Sequence, residues 1–375
     1  MSLSLVVLVA WVVAFVQTLL NLFLIRSLRG AASVEGPRVS VIVPARNEER
    51  SIARTVRALL AQTYRDLEII VVDDRSSDST GPLLQEIALG DPRLIVISGE
   101  EPPAGWLGKP WALHQGSLRA SGDLLLFVDA DIHYQPAGIA AAVAELQQCK
   151  AEMLTLFPHV EMRGFWENVA MPQLSVVVFT FLPTFLSNRT MNPRMALGGG
   201  TGNLVRRDAY DKAGGHEALR SAVVDDIGLA RLFRSRGFRT QTVLAGDFVS
   251  VRMYEGGRQI VEGFTKNLFA ALGRSYVLTI TLAILGVLFH VWPYLAAILG
   301  DPLAVATVTL ITLSRLLVFA RLRYSLVAAL FAHPLMVLVF TWISLRSMWL
   351  TGVKRQLTWR GRVYDASHTR FGGER

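Results

Sequence analysis

The chain alternates short, wholly apolar runs with segments in which apolar residues recur at helical spacing. Short apolar runs that end in polar turn residues are typical of strands buried on both faces of a sheet. Strands that alternate with helices of about a dozen residues predict an α/β fold, with a mainly parallel sheet and helices on both faces. The predicted strands are residues 39–43, 67–72, 94–98, 124–128, 152–156 and 204–207, and the predicted helices are residues 51–62, 80–89, 111–121 and 225–236.

Longer apolar segments predict that part of the chain lies in a membrane. Residues 4–25 contain no charged side chain over a length that can cross a bilayer, and Arg26, Arg29 and Arg38 follow them. The positive-inside rule therefore places the N-terminus outside and the following domain in the cytoplasm. No Lys or Arg precedes this run, which disfavours a secretory signal. Further apolar segments cover residues 276–299, 303–319 and 325–350.

These patterns predict a multi-pass protein of the cell membrane with four parts. Within the central domain, residues 174–186 are apolar but short and broken by Pro183, so they suit an interfacial helix or a buried core helix. The expected parts are an N-terminal anchor at residues 1–30, a cytoplasmic α/β domain at 38–255 with an interfacial segment at about 165–190, transmembrane or interfacial helices at 275–350, and a basic cytoplasmic tail at 351–375.

The C-terminal segments leave the number of crossings open. Three full crossings after the cytoplasmic domain would put the tail outside, whereas its basic residues favour the cytoplasm. We therefore expect one segment, the one broken at Pro334, to be re-entrant or interfacial.

Composition narrows the classes of partner. The chain is 51% hydrophobic and only 18% charged, with a formal net charge of +8. The basic residues collect beside apolar segments rather than in one soluble stripe, which favours an anionic lipid surface over nucleic acid. The single cysteine, Cys149, precludes a disulfide within the chain and fits a reducing compartment.

Acidic residues follow several predicted strands. Asp129 and Asp131 come directly after the strand at residues 124–128, and two acids one residue apart can hold a hard divalent cation against a diphosphate. Glu48, Asp73 and Asp74 follow two other strands and should gather at the same edge of the sheet. Such a group would repel itself unless a cation were bound, although a network of caps and turns is the alternative.

Three further segments carry candidate chemistry. Lys109 lies near the start of a predicted helix, where it opposes the helix dipole, so we interpret it as a phosphate contact rather than a surface lysine. Asp225 and Asp226 open another helix and could be caps or a general base, and a base would need a raised pKa. The third segment contains Gly200, Thr201, Gly202 and Asn203. Its glycines would permit close approach of the backbone to a ligand, and a plain flexible loop is the alternative.

Together these motifs resemble the family 2 glycosyltransferases, whose catalytic domain has the GT-A fold. The matching stretches are Val-Ile-Val-Pro-Ala-Arg-Asn-Glu at residues 41–48, Val-Val-Asp-Asp at 71–74, Gly-Lys at 108–109, Asp-Ala-Asp at 129–131 and Val-Asp-Asp at 224–226. They cover roughly residues 38 to 250 in the family's order. The terminal apolar segments resemble the membrane-bound branch that acts on lipids, including hopanoid-associated and carotenoid glycosyltransferases and, more distantly, ceramide glucosyltransferase.

The resemblance implies a role for each matching residue. Asp131, with Asp129, would bind Mg²⁺ or Mn²⁺ on the diphosphate, and Asp226, assisted by Asp225, would be the base. Processive members carry a Gln-x-x-Arg-Trp motif, but here Thr358 stands where that arginine would be. The residues implied to bind or cover the donor are Pro44, Glu48, Asp73, Asp74, Lys109, Asp129, Arg355, Trp359 and Arg362, and residues 200–203 would face the acceptor.

The function implied is the inverting transfer of one sugar from a nucleotide sugar, expected to be a UDP-sugar, to a hydroxyl or carboxyl group of a lipid. A processive polysaccharide synthase would use the same domain, but the few apolar spans and the altered Gln-x-x-Arg-Trp region argue against it. A non-catalytic membrane scaffold with a relict site would leave the acidic cluster idle. For Arg355, Trp359 and Arg362 a basic juxtamembrane anchor is an equal alternative.

Overall fold

The computed structural model describes residues 2–30 and 33–354, together with the backbone of residues 356–359 and 362–365. These residues form two compact units. The sheet unit contains residues 26–161 and 186–253. The helical unit contains the described residues of 1–25, 162–185 and 254–367.

Helices are numbered along the whole chain. They are α1 (Leu3–Leu24), α2 (Ile52–Leu60), α3 (Thr80–Gly90), α4 (Gly108–Arg119), α5 (Gly138–Gln148), α6 (Phe165–Ala170), α7 (Pro172–Val176), α8 (Thr184–Ser187), α9 (Arg207–Ala213), α10 (Asp225–Ser235), α11 (Gly256–Ala271), α12 (Tyr276–His290), α13 (Trp292–Ile298), α14 (Pro302–Leu322), α15 (Leu326–Phe331) and α16 (His333–Ser347). Short 3₁₀ turns cover Pro193–Met195 and Gly215–Leu219, and π turns cover Val177–Phe181 and Met348–Val353.

The strands form one large sheet and two small ones. They are β1 (Val39–Ala45), β2 (Leu67–Asp73), β3 (Leu94–Ser98), β4 (Leu124–Phe127), β5 (Ile132–Tyr134), β6 (Met153–Phe157), β7 (His159–Val160), β8 (Asn203–Arg206), β9 (Thr240–Leu244), β10 (Val249–Val251), β11 (Gln356–Trp359) and β12 (Arg362–Asp365). The large sheet has the order β3-β2-β1-β4-β8-β6-β9. Only β8 is antiparallel to its neighbours, so the predicted mainly parallel sheet is confirmed.

Helices cover both faces of the large sheet, as the strand pattern predicts. One face packs against α2, α3 and α5 through residues such as Ile52 and Ile139, which join a core with Val41. The other face packs against α4, α9 and α10, where Leu113 and Phe233 join a second core. The strands are apolar at successive positions because both of their faces are covered in this way.

The strands β1 to β4 end at one edge of the sheet. Ala45 at the end of β1 lies opposite Asp73 at the end of β2, which in turn lies opposite Ser98 at the end of β3. On the other side of β1, Ile42 lies opposite Phe127 at the end of β4. The loops that carry the predicted acidic residues therefore leave from a common edge.

Two element boundaries differ from the sequence-based expectation. Strand β1 continues through Pro44, which was expected to end it. Proline is tolerated there because pairing with β4 stops at Ile42, so no donor is needed from Pro44 on that side. Helix α4 begins at Gly108 instead of Trp111, because Pro110 fits the first turn of a helix. Lys109 consequently lies inside that first turn.

A buried glutamate links the strands at the opposite edge of the sheet, where β1, β2 and β4 begin. Glu68 in β2 accepts hydrogen bonds from Ser40 of β1, from the backbone and hydroxyl of Ser121 before β4, and from Arg38 at 3.0 Å. Burial alone would raise the pKa of Glu68, but these hydrogen bonds lower it to about 2. The ionised carboxylate therefore ties three neighbouring strands together at their N-terminal ends.

The helical unit contains helices that can cross a membrane. Within the described residues, four are long and apolar enough: Leu3–Leu24, Tyr276–Ile298, Pro302–Leu322 and His333–Val353. The apolar segment at residues 174–186 is broken into the end of α7, a π turn and the start of α8. Asn21 of α1 forms hydrogen bonds with the backbone at this break. Its side chain donates to the carbonyls of Phe179 and Leu182 and accepts from the backbone N–H of Phe185.

Helix α16 runs antiparallel to α12 and returns to the level at which α12 begins. At one end, His290 Nδ1 lies 3.2 Å from His333 Nε2, and at the other end Gly352 lies against the Tyr276 hydroxyl. Arg315 of α14 donates to the carbonyls of residues 328 and 329 at 2.8 Å, and so caps the last turn of α15. The segment broken at Pro334 thus forms a helical hairpin, α15 and α16, whose turn lies beside the interior of α14.

We expect Glu68→Gln to lower the free energy of unfolding by about 2 kcal/mol at neutral pH, because charge-assisted hydrogen bonds are replaced by weaker neutral ones. The pKa of Glu68 is lowered on folding, so its contribution is complete above the unfolded value of 4.5 and fades as pH falls towards about 2. Thermal unfolding of the purified protein at several pH values should show this. The exposed Glu86→Gln is the control, and a pH-independent difference would contradict the assignment.

Candidate active site

The site is built around the end of β4. Asp129 follows this strand, and its backbone N–H donates to the carbonyl of Gly200 at 2.8 Å. This bond continues the pairing of β4 with β8, in which Phe127 lies opposite Asn203. The Asp129 side chain is 38% exposed, so it faces the open edge of the sheet rather than the core. Asp131 follows two residues later.

One lysine joins Asp129 to a distant part of the chain. Lys109 Nζ lies 2.7 Å from Asp129 Oδ1 and 3.3 Å from Asp225 Oδ1. Lys109 belongs to the first turn of α4 and Asp225 to the first turn of α10. The two acids explain why a lysine is stable at the positive end of a helix dipole. The predicted phosphate contact of Lys109 stays a prediction.

The electrostatics of this cluster reflect an excess of acid. Burial raises the pKa of Asp225 to about 6, and burial likewise raises the pKa of Asp226, with Asp129 adding to both shifts. Burial, followed by the charges of Asp129 and Glu48, raises the pKa of Asp131 to about 7. Burial opposes the charge of Lys109, but the surrounding acids keep its pKa well above the usual value. A single ammonium does not neutralise these carboxylates.

The residues at the end of β4 fit a divalent cation. Carboxylate oxygens are the ligands that Mg²⁺ and Mn²⁺ prefer, and Asp129 and Asp131 supply them one residue apart directly after β4. Among the described residues, no group of three or more His, Cys, Asp or Glu side chains could hold a metal. A cation on Asp129 and Asp131 would therefore take its remaining ligands from water and substrate phosphates, which is a usual arrangement for Mg²⁺.

Asp74 lies in a positively charged setting at the end of β2. It is only 3% exposed, and Arg46 donates to its carbonyl at 2.5 Å and lies 3.6 Å from its carboxylate. Arg75 lies 3.5 Å from the same carboxylate and also pairs with Glu101. Neither Arg46 nor Arg75 was singled out from the sequence, although both follow strands whose ends carry the predicted acids.

The other predicted donor residues of this edge shape its loops. Glu48 accepts a hydrogen bond from the Ser51 hydroxyl at 2.9 Å, and its backbone N–H donates to the Thr80 hydroxyl at 2.8 Å. Asp73 Oδ1 accepts from the backbone N–H of Ser76 at 3.1 Å and closes a turn after β2. Pro44 is the penultimate residue of β1 and lies at the same edge of the sheet. Their predicted roles in binding the donor stay predictions.

The glycine-rich loop before β8 lies directly against the acids. A Cβ atom at Gly200 would collide with the carboxylate of Asp129, and one at Gly198 would collide with the carbonyl of Asp226. Asn203 Nδ2 donates to that same carbonyl at 3.3 Å. The glycines therefore allow the backbone to approach both acids closely.

The same loop is held in place by buried hydrogen bonds. The Thr201 hydroxyl donates to the carbonyl of Leu156 at 2.7 Å, and the Tyr134 hydroxyl donates to the carbonyl of Thr201 at 2.8 Å. Gly202 adopts a φ of 155° and packs against Tyr134. The structure thus favours a fixed loop over a plain flexible one, while its place on the acceptor side stays a prediction. Tyr134 was not singled out from the sequence.

Of the C-terminal candidates, the structure describes only the backbone of Trp359 and Arg362. Arg355 lies outside the described residues. Trp359 and Arg362 belong to β11 and β12, which pair in antiparallel register, but their side chains are also outside the described part of the chain. Their predicted role over the donor stays a prediction.

Comparison with known proteins identifies the class. Residues 40–214 match the family described as glycosyl transferase family 2. A 4,4'-diaponeurosporenoate glycosyltransferase of Staphylococcus haemolyticus is 30% identical over 241 residues, which are 63% of this chain and 62% of that protein. The protein of the same name from Staphylococcus aureus strain USA300 is 25% identical over 347 residues, 88% of each chain.

A solved structure shows the same fold. A mannosyltransferase from Pyrobaculum calidifontis, in complex with GDP-Man and Mn²⁺, is 18% identical and matches with a TM-score of 0.52, covering 90% of this chain and 99% of its own. Residues 40–214 therefore form a glycosyl transferase family 2 domain, and the chain has the GT-A fold, as the sequence motifs implied.

We expect Gly200→Ala to lower glycosyl transfer about 100-fold while leaving the fold intact. The new methyl group meets the end of the Asp129 side chain, which must turn away from Lys109 and so leaves its position in the site. Gly90→Ala is the matched control, because nothing lies within 4 Å of a Cβ at that position. Transfer rates and thermal unfolding of both variants test this, and wild-type activity in Gly200→Ala would contradict it.

Proposed function

We propose that this protein transfers a single sugar from a nucleotide-sugar donor to a hydroxyl or carboxyl group of a carotenoid-type lipid, at the cytoplasmic face of the cell membrane. The observation that carries the proposal is the contact of the Lys109 ammonium with both Asp129 and Asp225. It unites the end of β4 and the start of α10 in one charged site. A donor bound at the end of β4 would then lie close to a base at the start of α10.

The donor side of the proposal rests on the edge formed by β1 and β2. Glu48, Asp73 and Asp74 follow these strands, and ligands of open α/β sheets bind outside the carboxyl ends of strands. The Pyrobaculum relative in fold carries GDP-Man, which supports a nucleotide sugar here. A UDP-sugar is the donor that the resemblance to the family favours.

Metal dependence rests on the pair of acids after β4. Asp129 and Asp131 would hold Mg²⁺ or Mn²⁺, whose charge offsets the negative charge that grows on the departing diphosphate. The bound Mn²⁺ of the Pyrobaculum mannosyltransferase supports this assignment. Lys109 adds a fixed positive charge beside the same acid.

The reaction proposed is one in-line displacement with inversion at the anomeric carbon. Asp226 takes the proton from an acceptor hydroxyl as it attacks, and no covalent intermediate is needed. We assign this role to Asp226 rather than Asp225, because the Asp225 carboxylate is only 6% exposed and already contacts Lys109. Burial raises the pKa of Asp226 and so makes it a stronger base. A carboxyl acceptor is ionised near neutral pH and needs no base.

The acceptor assignment rests on the relatives and on the apolar helices. Two proteins of similar sequence are named for 4,4'-diaponeurosporenoate. Helices that can cross a bilayer fit an acceptor that stays dissolved in the membrane.

We further propose that the protein crosses the membrane three times and that the α15–α16 hairpin is re-entrant. Asp301 before α14 bonds to Ser4 at the start of α1, so both lie at one level, which we take as the outer face. The π turn that follows α16 lies beside Tyr276, where α12 begins. The catalytic domain and the tail then share the cytoplasmic side, which agrees with their basic flanks.

Lipids extracted from cells with and without the protein should differ by one glycolipid that carries a single sugar, as determined by mass spectrometry. A ladder of polymer masses would instead favour a processive synthase, and identical lipid profiles would contradict the proposal.

The same assay separates the roles of the acids. Asp131→Ala should abolish transfer by weakening binding of Mn²⁺ with UDP, whereas Asp226→Asn should retain that binding and lower transfer to a hydroxyl acceptor at least about 100-fold. Calorimetry measures the binding. The exposed Asp123→Asn, at the opposite edge, is the control. Transfer close to wild type in either site variant would refute the assignment.

Cysteine labelling tests the topology, because Cys149 is the only native cysteine. In a Cys149→Ser background, Leu299→Cys at an 82% exposed position should react with an impermeant maleimide on intact cells. Glu86→Cys and Ser367→Cys should react only after permeabilisation. Reaction of Ser367→Cys on intact cells would mean that the hairpin crosses fully.

A further inference from the structure

Lys109 is held more tightly than a simple phosphate contact requires. Its side chain is only 24% exposed, and its Nζ lies 2.7 Å from Asp129 Oδ1, which is a short, charge-assisted contact. A second contact, to Asp225 at 3.3 Å, fixes the ammonium from the other side. The ammonium therefore acts as a built-in cation between two acids that would otherwise repel each other.

We infer that the Lys109 ammonium and the divalent cation compete for Asp129, and that the diphosphate of the donor relieves this competition by accepting the ammonium. The inference rests on the proposed function, in which Asp129 and Asp131 hold the cation and a nucleoside diphosphate is the leaving group. It assigns Lys109 a task beyond stabilising that group: it makes binding of the cation depend on the presence of the donor.

The competition follows from the charges. Asp129 carries one negative charge, and a lysine and a divalent cation that share it repel each other. An ammonium displaced from Asp129 would keep its contact with Asp225 at 3.3 Å but lose the shorter of its two ion pairs. A diphosphate supplies several negative charges that can satisfy the ammonium and the cation together.

A coupling of this kind is reciprocal. If the diphosphate raises the affinity for the cation, the cation must raise the affinity for the diphosphate by the same factor. In wild-type protein the two ligands should therefore bind together strongly and separately weakly. Removal of the lysine charge should strengthen binding of the cation in the absence of the diphosphate, because Asp129 is then available to the cation alone.

Calorimetric titration of Mn²⁺ into the full-length protein in detergent tests the inference, with and without saturating UDP. Without UDP, Lys109→Gln should bind Mn²⁺ about tenfold more tightly than wild type. With UDP, the same variant should bind Mn²⁺ about tenfold more weakly, because the diphosphate has lost a positive partner. The sign of the effect therefore changes with the nucleotide.

Two further variants serve as controls. Lys109→Arg keeps the positive charge and should bind Mn²⁺ as weakly as wild type when UDP is absent. Lys212→Gln removes a lysine that is 68% exposed and paired with Asp208 on α9, and it should match wild type in both titrations. Thermal unfolding of each variant shows whether the fold is kept. Should Lys109→Gln fail to fold, a tenfold gain in Mn²⁺ affinity on adding UDP to wild type still tests the coupling.

Equal Mn²⁺ affinities of wild type and Lys109→Gln without UDP would overturn the inference, and so would wild-type affinity that UDP leaves unchanged. Wild-type protein that binds no UDP even with Mn²⁺ would overturn the proposed donor chemistry, and with it the release of Lys109 by the diphosphate. The titration without UDP involves only the protein and Mn²⁺. Failure of the inference can therefore be distinguished from failure of the proposed donor chemistry.

Discussion

The contact of the Lys109 ammonium with the carboxylates of Asp129 and Asp225 is the interaction on which the candidate active site of the sheet unit depends. Asp129 and Asp225 come from the end of a strand and the start of a helix that are far apart in sequence. Both are acids in a partly buried place, where like charges repel strongly. Lys109 offsets that repulsion, and it thereby allows the start of α10, with Asp226, to lie near the end of β4.

The sheet makes this contact possible. Parallel strands β1 to β4 bring their following loops to one edge, and the antiparallel β8 brings a glycine-rich loop to the same edge from the opposite direction. Because Gly198 and Gly200 lack side chains, the backbone lies against both Asp226 and Asp129. Stability is supplied elsewhere, at the N-terminal ends of the strands, where Glu68 links β1, β2 and the start of β4.

The sequence predicted the parts of this structure that depend on local pattern. Strands buried on both faces are continuous apolar runs, and acids directly after them must lie at the carboxyl edge, so the sheet and the edge that carries Asp129 were foreseeable. The pairing of Lys109 with Asp225 was not, because it joins segments whose distance depends on the packing of α4 and α10. Tyr134 and Arg46 were missed for the same reason: their partners are backbone atoms of other loops.

The central claim is that these charged groups surround one donor. Crystals grown with UDP and Mn²⁺ test it most directly, because the anomalous scattering of Mn²⁺ locates the cation without reference to the protein. We expect a single Mn²⁺ peak at Asp129 and Asp131, with the diphosphate between it and Lys109 and with Asp226 facing the same cavity. A cation bound elsewhere, or Asp131 and Asp226 in separate cavities, would contradict it.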